Sequence, residues 1–246
     1  MNLKDKVIIV TGGNGLIGSE IIKKLKYYEA IVINVDVNID SNLENGLFYC
    51  DITDEKSIYN LFDEVLKKFG KLDGIVNNAY PRTEDWGAKF ENVKIESWRR
   101  NVDMQMNSIF VICQKALEIM KNQQFGSIVN IASIYGVVGN DFTVYDNTNN
   151  MTSPAAYAAI KGGVINFSRY LASYYGKNNV RINCVSPGGI FNHQNEVFVS
   201  NFETKVPMKR MGRPDDISGP VAFMLSEESK YITGQNIIVD GGWTAI

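Results

Sequence analysis

Six short runs rich in β-branched residues, at 7–10 (VIIV), 31–35 (IVINV), 74–77 (GIVN), 127–131 (SIVNI), 180–185 (VRINCV) and 236–239 (NIIV), punctuate the chain. Runs of this length and character read as strands buried on both faces. Between them lie segments of helical character near 17–28, 54–69, 95–121, 154–175 and 214–226. Strands that alternate with helices build a parallel sheet with helices on both sides, so the pattern predicts an α/β fold, a doubly wound parallel sheet. At 246 residues the chain is long enough for one domain or two. No linker, repeat or low-complexity segment divides it, and a single domain over 1–246 is expected. Asp54 and Ser153 are expected N-caps, with Pro154 at the first helical position after Ser153. The polar stretch NDFTVYDNTNNMTS at 140–153 is long for a connection, and is either a mobile lid or a surface excursion.

Composition narrows the partners. Hydrophobic residues make up 45% and charged residues 21%, enough apolar matter for a large core. The formal charge of −2 provides no global field toward nucleic acid or anionic lipid, so neither is an expected partner. The opening MNLKDKVIIVTGG has too short an apolar run for a signal peptide, and nothing approaches the length of a membrane span. Cys50, Cys113 and Cys184 are odd in number and far apart, which fits reduced thiols in a cytoplasm. With His193 as the one histidine and no Cys/His cluster, no metal site is expected.

VIIVTGGNGLIGSEIIKKL joins a buried strand, a glycine turn and an amphipathic helix. Gly13, Gly15 and Gly18 have dinucleotide spacing, with Gly12 just before them. Small residues there permit the tight turn, the approach of pyrophosphate to backbone N–H groups, and close packing of helix on strand. Asp36 ends the next strand, 18 residues beyond Gly18, where a carboxylate can accept from ribose hydroxyls. It would repel a 2′-phosphate, and no arginine lies in the glycine turn or just after Asp36, so NAD is favoured over NADP.

Tyr157 and Lys161, in AAYAAIKGGV, are four apart and share one helix face. Lowering a phenol pKa from about 10 to about 7 takes roughly 4 kcal/mol of preference for phenolate. A neighbouring ammonium, a positive nicotinamide ring and a hydroxyl donor can supply it. Ser133, just after the strand at 127–131, is the natural donor. The bare pair has no unique spacing, and equally fits a solvated helix face.

TGGNGLIG, DITD, NNAY, NIAS, YAAIK, VRINCVSPGGI, RMGRPDDI and YITGQNIIVDGG occur in the order found in the short-chain dehydrogenase/reductase family, which the chain resembles over nearly its whole length. The resemblance implies an NAD(P)-binding Rossmann fold and an oxidoreductase acting on CH–OH groups. It implies that Tyr157 is the general acid/base, that Ser133 positions the substrate oxygen, and that Lys161 holds the nicotinamide ribose and depresses the tyrosine pKa. Cofactor contacts would come from Gly12, Asn14, Gly15, Leu16, Ile17 and Gly18 in the turn, and from Asp51 and Ile52 beside adenine. Asn78 and Ala79 would lie beside a ribose, and Pro187, Gly188 and Ile190 around the nicotinamide. A homo-oligomer, dimer or tetramer, is implied, with Trp243 and Ile246 fitting a seam at the C-terminus.

The chain departs from the family pattern at several points. Leu16 stands where short members usually have their middle glycine. Tyr80 replaces the glycine of NNAG, and Asn192 a threonine. Gln105 stands where an asparagine usually anchors a water-linked proton relay, a place that Asn101 could take only in a locally distorted helix. Ser133 and Tyr157 are 24 residues apart where about a dozen lie between them in the family, so 140–152 is an insertion beside the site. With NNAYPR, NIASIYGVVG and SPGGIFNHQ, the insertion resembles a narrower branch, the flagellin-modification oxidoreductases of nonulosonic (legionaminic-type) sugar synthesis. That implies a small polar substrate, a sugar phosphate or nucleotide sugar, whose anion Arg82, Arg99 or His193 could meet. Rival readings are a generic ketoreductase such as an oxoacyl reductase, and a non-catalytic NAD-binding sensor.

Overall fold

The computed structural model describes residues 1–246. Strands β1 (Val7–Thr11), β2 (Ile31–Asp36), β3 (Leu47–Tyr49), β4 (Gly74–Asn77), β5 (Gly126–Ile131), β6 (Val180–Pro187) and β7 (Asn236–Val239) form one sheet in the order β3-β2-β1-β4-β5-β6-β7. Every pairing is parallel. The helices are α1 (Leu16–Tyr27), α2 (Glu55–Phe69), α3 (Ile95–Val102), α4 (Ser108–Gln123), α5 (Ala155–Tyr175), α6 (Glu196–Lys205) and α7 (Pro214–Leu225). No helix is long and apolar enough to cross a membrane.

Successive strand residues point to opposite faces, and the apolar runs divide accordingly. Val7, Ile9, Ile33, Ile75, Ile128 and Ile182 pack with α2, α4 and α5 on one side. Ile8, Val10, Val32, Val76, Val129 and Val185 pack with Ile21 and Leu25 of α1 and Ile217, Val221 and Leu225 of α7 on the other. This is the doubly wound sheet expected. The order reverses between β1 and β4, which opens a crevice beyond their C-terminal ends.

One polar chain crosses the larger core. Asn77 Nδ2 donates to Asn130 Oδ1 at 2.7 Å, and Asn130 Nδ2 donates to Ser168 Oγ at 2.8 Å. The Ser168 hydroxyl donates to Val164 O at 2.8 Å. All three side chains are buried, and a buried amide without a partner is costly, so β4, β5 and α5 are held in one register.

Several local expectations change. The three-residue β3 and the helix α6 had no counterpart in the apolar pattern, because Tyr49 is exposed and α6 is apolar only in part. The helix expected over 95–121 is broken by a π turn at Asp103–Asn107. Asp54 caps α2 by accepting from Lys56 N, as expected. Ser153 does not cap α5; Pro154 occupies the cap position, and the Ser153 hydroxyl accepts from Asn140 Nδ2. Trp243 is no bare apolar terminus, since it stacks on Phe202 with ring centroids 4.5 Å apart, while Ile246 stays exposed.

The segment 140–153 is fastened at several points. A short 3-10 turn at Phe142–Tyr145 buries Val144 among Phe198, Phe202, Val206 and Met211. Asn201 Nδ2 donates to the carbonyls of Val144 and Asp146, and Lys205 pairs with Asp141. Val144→Ala should therefore lower stability by about 2 kcal/mol in urea unfolding, and should speed hydrogen exchange at 140–153 more than in the sheet.

Candidate active site

A cavity of about 680 Å³ fills the crevice. At its floor, β1 runs into the glycine turn. Gly12 has φ +64°, and a Cβ there would lie 2.8 Å from Ala79 Cα; one on Gly18 would lie 2.2 Å from Gly12 O. The turn can therefore close only with glycines. Gly15 starts α1 with no side chain capping its first N–H groups, so the helix offers free donors to an anion. Asp36 accepts from Asn14 N at 3.0 Å and Asn38 N at 3.1 Å, which fixes its carboxylate at the cavity wall. Neither lysine nor arginine lines the wall beside it. Together the uncapped helix, the glycine cradle and Asp36 fit a dinucleotide with free ribose hydroxyls.

Gly12, Asn14, Gly15, Leu16, Ile17, Asp36, Asn78, Ala79, Ser133, Tyr157, Lys161, Pro187, Gly188 and Ile190 all line this one cavity. Asn78 Nδ2 donates to the carbonyls of Thr11 and Gly12, tying β4 to the turn. Gly18 lies behind the turn as packing. Asp51 and Ile52 are not on the lining: Asp51 Oδ1 accepts from the Thr53 N–H and hydroxyl, and Ile52 is buried in the core. Gln105 is also off the lining. Its Nε2 donates to Pro81 O at 2.8 Å, and its Oε1 is buried without a partner. The π turn is the distortion that would have freed Asn101, yet Asn101 is committed to Thr83 and to Ser97 O. Arg82 and Asn192 reach the cavity, whereas Arg99 and His193 do not.

Helix α5 supplies Tyr157 and Lys161, and the turn after β5 supplies Ser133. The two segments touch closely: a Cβ on Gly136 would lie 2.6 Å from the Lys161 carbonyl carbon. Ser133 Oγ accepts from Tyr135 N at 3.2 Å and lines the same cavity as the Tyr157 phenol. Lys161 is 8% exposed and donates from Nζ to Ile131 O at 2.7 Å. Its Nζ lies 5.6 Å from the ring centres of both Tyr157 and Tyr80.

The electrostatics differ from expectation. Burial pushes the Tyr157 phenol above its ordinary value and the neighbouring Ser133 hydroxyl opposes it, so any lowering has to come from charge brought beside the ring. The same burial lowers Lys161 from 10.5 to about 8. Among the lining residues that no sequence signal singled out are Tyr135, Gln194, Phe198 and Phe202. Phe198 and Phe202 belong to α6, which the apolar pattern had not revealed.

Comparisons with known proteins agree with this geometry. A family model described as enoyl-(acyl carrier protein) reductase matches residues 17–244. The post-translational flagellin modification protein A of Campylobacter coli is 32% identical over 98% of this chain and 99% of its own. The 3-oxoacyl-acyl-carrier-protein reductase of Thermotoga maritima is 32% identical with the same coverage. Among solved structures, a short chain dehydrogenase from Leptospira borgpetersenii with bound NAD+ superposes with a TM-score of 0.89 at 35% identity, covering 99% of this chain and 94% of that one.

The Lys161 ammonium makes a pH-dependent contribution to stability. Below pH 8 the ammonium is present in both folded and unfolded chains, and folding bears the cost of burying it. Between about 8 and 10.5 the folded chain loses the proton first, so that cost is relieved as pH rises. Urea unfolding of wild type against Lys161→Met should show wild type gaining stability relative to the variant over that window.

Proposed function

Because the chain belongs to the short-chain dehydrogenase/reductase family, a family of oxidoreductases acting on CH–OH groups, we propose that it is an NAD-dependent dehydrogenase of a sugar secondary alcohol. The observation that carries this reading is the convergence of Ser133, Tyr157 and Lys161 with the glycine turn and Asp36 in one cavity. The free hydroxyl-accepting carboxylate of Asp36 favours NAD over NADP.

When bound, oxidised nicotinamide supplies the hydride acceptor and a positive ring charge. Ser133 holds the substrate oxygen, and Tyr157 takes the hydroxyl proton as the carbon gives up hydride. Lys161, whose Nζ donates to Ile131 O, would also hold the ribose hydroxyls of the dinucleotide, and its charge would favour the phenolate. In the reverse direction Tyr157 returns the proton to a carbonyl oxygen. Burial alone leaves the phenol protonated, so the base becomes competent only with added positive charge beside it.

The sugar substrate is supported by the flagellin-modification relative and by the chemistry of the outer wall. Tyr80, Tyr135, Tyr145, Asn192 and Gln194 offer aromatic faces and hydrogen-bonding groups, as polyols require. Arg82 lines the same wall and pairs with no carboxylate, which suits a sugar phosphate or nucleotide sugar. We place the reaction in bacterial surface-glycan (flagellin-modification) synthesis in the cytoplasm. The protein is taken to act as a dimer or tetramer through the faces of α4 and α5 that leave Phe110, Tyr170 and Tyr174 exposed.

Incubation with NAD or NADP and a panel of hexose phosphates, nucleotide sugars and simple secondary alcohols, read by NADH absorbance, tests the reading. NAD-dependent oxidation of a sugar derivative is expected, falling by about 10²-fold or more in Tyr157→Phe while calorimetric NAD affinity is retained. Failure to bind NAD would overturn it. Arg82→Ala should raise KM for the phosphorylated substrate by about 10-fold with little change in kcat.

A further inference from the structure

Tyr80 follows the NNA of the segment leaving β4, and its ring closes a three-way edge-to-face cluster over the proton-transfer pair. Ring centres of Tyr80 and Tyr157 are 5.5 Å apart at 74°, those of Tyr80 and Trp86 5.7 Å at 80°, and those of Trp86 and Tyr157 6.2 Å at 88°. The segment is clamped from below. Pro81 O accepts from Gln105 Nε2, while Thr83 N donates to Asn101 Oδ1 at 3.1 Å and Thr83 Oγ1 accepts from Asn101 Nδ2 at 2.8 Å. The π turn and α3 thus spend their amides on setting where Tyr80 sits, which is a built position on a segment outside regular secondary structure.

Trp86 packs edge-to-face on the Tyr80 ring and holds it in place. Tyr80 lines the cavity alongside Ser133 and Tyr157, where its phenolic proton can be donated to a bound molecule. Burial pushes the Tyr80 phenol well above its ordinary value, with the neighbouring Tyr157 adding to the shift, so it remains a neutral donor while Tyr157 exchanges its proton. Two of the three hydroxyls serve the reacting oxygen. The third belongs to a ring whose centre is 5.5 Å from that of Tyr157, so it is available to an oxygen neighbouring the reacting one.

We infer that Tyr80 is a specificity-determining residue whose hydroxyl donates to a second oxygen on the carbon next to the one oxidised, making the substrate a vicinal diol and the product an α-hydroxyketone. The inference rests on the dehydrogenase reading. It adds no chemical step: hydride leaves the carbon for nicotinamide, the hydroxyl proton goes to Tyr157, and Tyr80 keeps its own proton. A site built around a hydroxyl rejects an analogue lacking it far more strongly than a merely apolar pocket does, because the buried donor is then left unpaired.

Tyr80→Phe retains the ring and its edge contacts and removes only the donor. The first arm compares NAD-dependent oxidation of trans-cyclohexane-1,2-diol and cyclohexanol. Wild type should favour the diol by at least about tenfold in kcat/KM, and Tyr80→Phe should bring that ratio close to one. A ratio unchanged in the variant, or no preference in wild type, would overturn the inference. The second arm needs no turnover: calorimetry of 2-hydroxycyclohexanone and cyclohexanone binding to protein saturated with NAD. A preference of about tenfold for the hydroxyketone, lost in Tyr80→Phe, supports the role of Tyr80 even if neither alcohol is oxidised. No preference there overturns that role, whatever becomes of the dehydrogenase reading.

Discussion

The site depends on a line of buried amides and a hydroxyl through the middle of the sheet. Asn77, Asn130 and Ser168 tie α5 to β4 and β5, since a shift along the helix would break the Asn130–Ser168 bond in an apolar core. Lys161 lies two turns before Ser168 on the same helix, so the line that satisfies Asn130 also delivers the ammonium to Ile131 O. Tyr157 follows one turn earlier. Specificity of packing and placement of the proton-transfer pair have one origin.

That placement has an electrostatic cost, and the cost is useful. A phenol and an ammonium enclosed together each drift toward neutrality, Tyr157 upward and Lys161 to about 8. A standing phenolate would have to be held against water. A phenol that burial keeps protonated yields its proton only when positive charge is brought alongside it.

Much of this was legible in the sequence, for physical reasons that also explain what was missed. Strands buried on both faces are mostly apolar, which is why VIIV and the Ile-Val pair of SIVNI announce themselves. β3 is three residues at an open edge with Tyr49 exposed, so it has little burial to signal it. The π turn at Asp103–Asn107 contains neither glycine nor proline, and the hydrogen bonds that produce it, from Gln105 and Asn101 to the segment after Tyr80, are tertiary. The same holds for Tyr80: its bulk was visible as a departure from a glycine, but its place in the ring cluster depends on Trp86, six residues on and folded back over it. The glycine turn and the Tyr157–Lys161 pair were legible because they are local in sequence, and the outer wall was not because it is assembled from three separate connections.

The packing of α7 on α1 carries a temporal consequence. Ile21 and Leu25 are covered by Ile217, Val221 and Leu225, so the helix behind the glycine turn is sealed by residues made some two hundred positions later. Parallel strands defer their pairing in the same way, since each neighbour arrives only after a crossover. A chain emerging from the ribosome therefore displays its most recognisable motif early and cannot close the shell around it until α7 has been added.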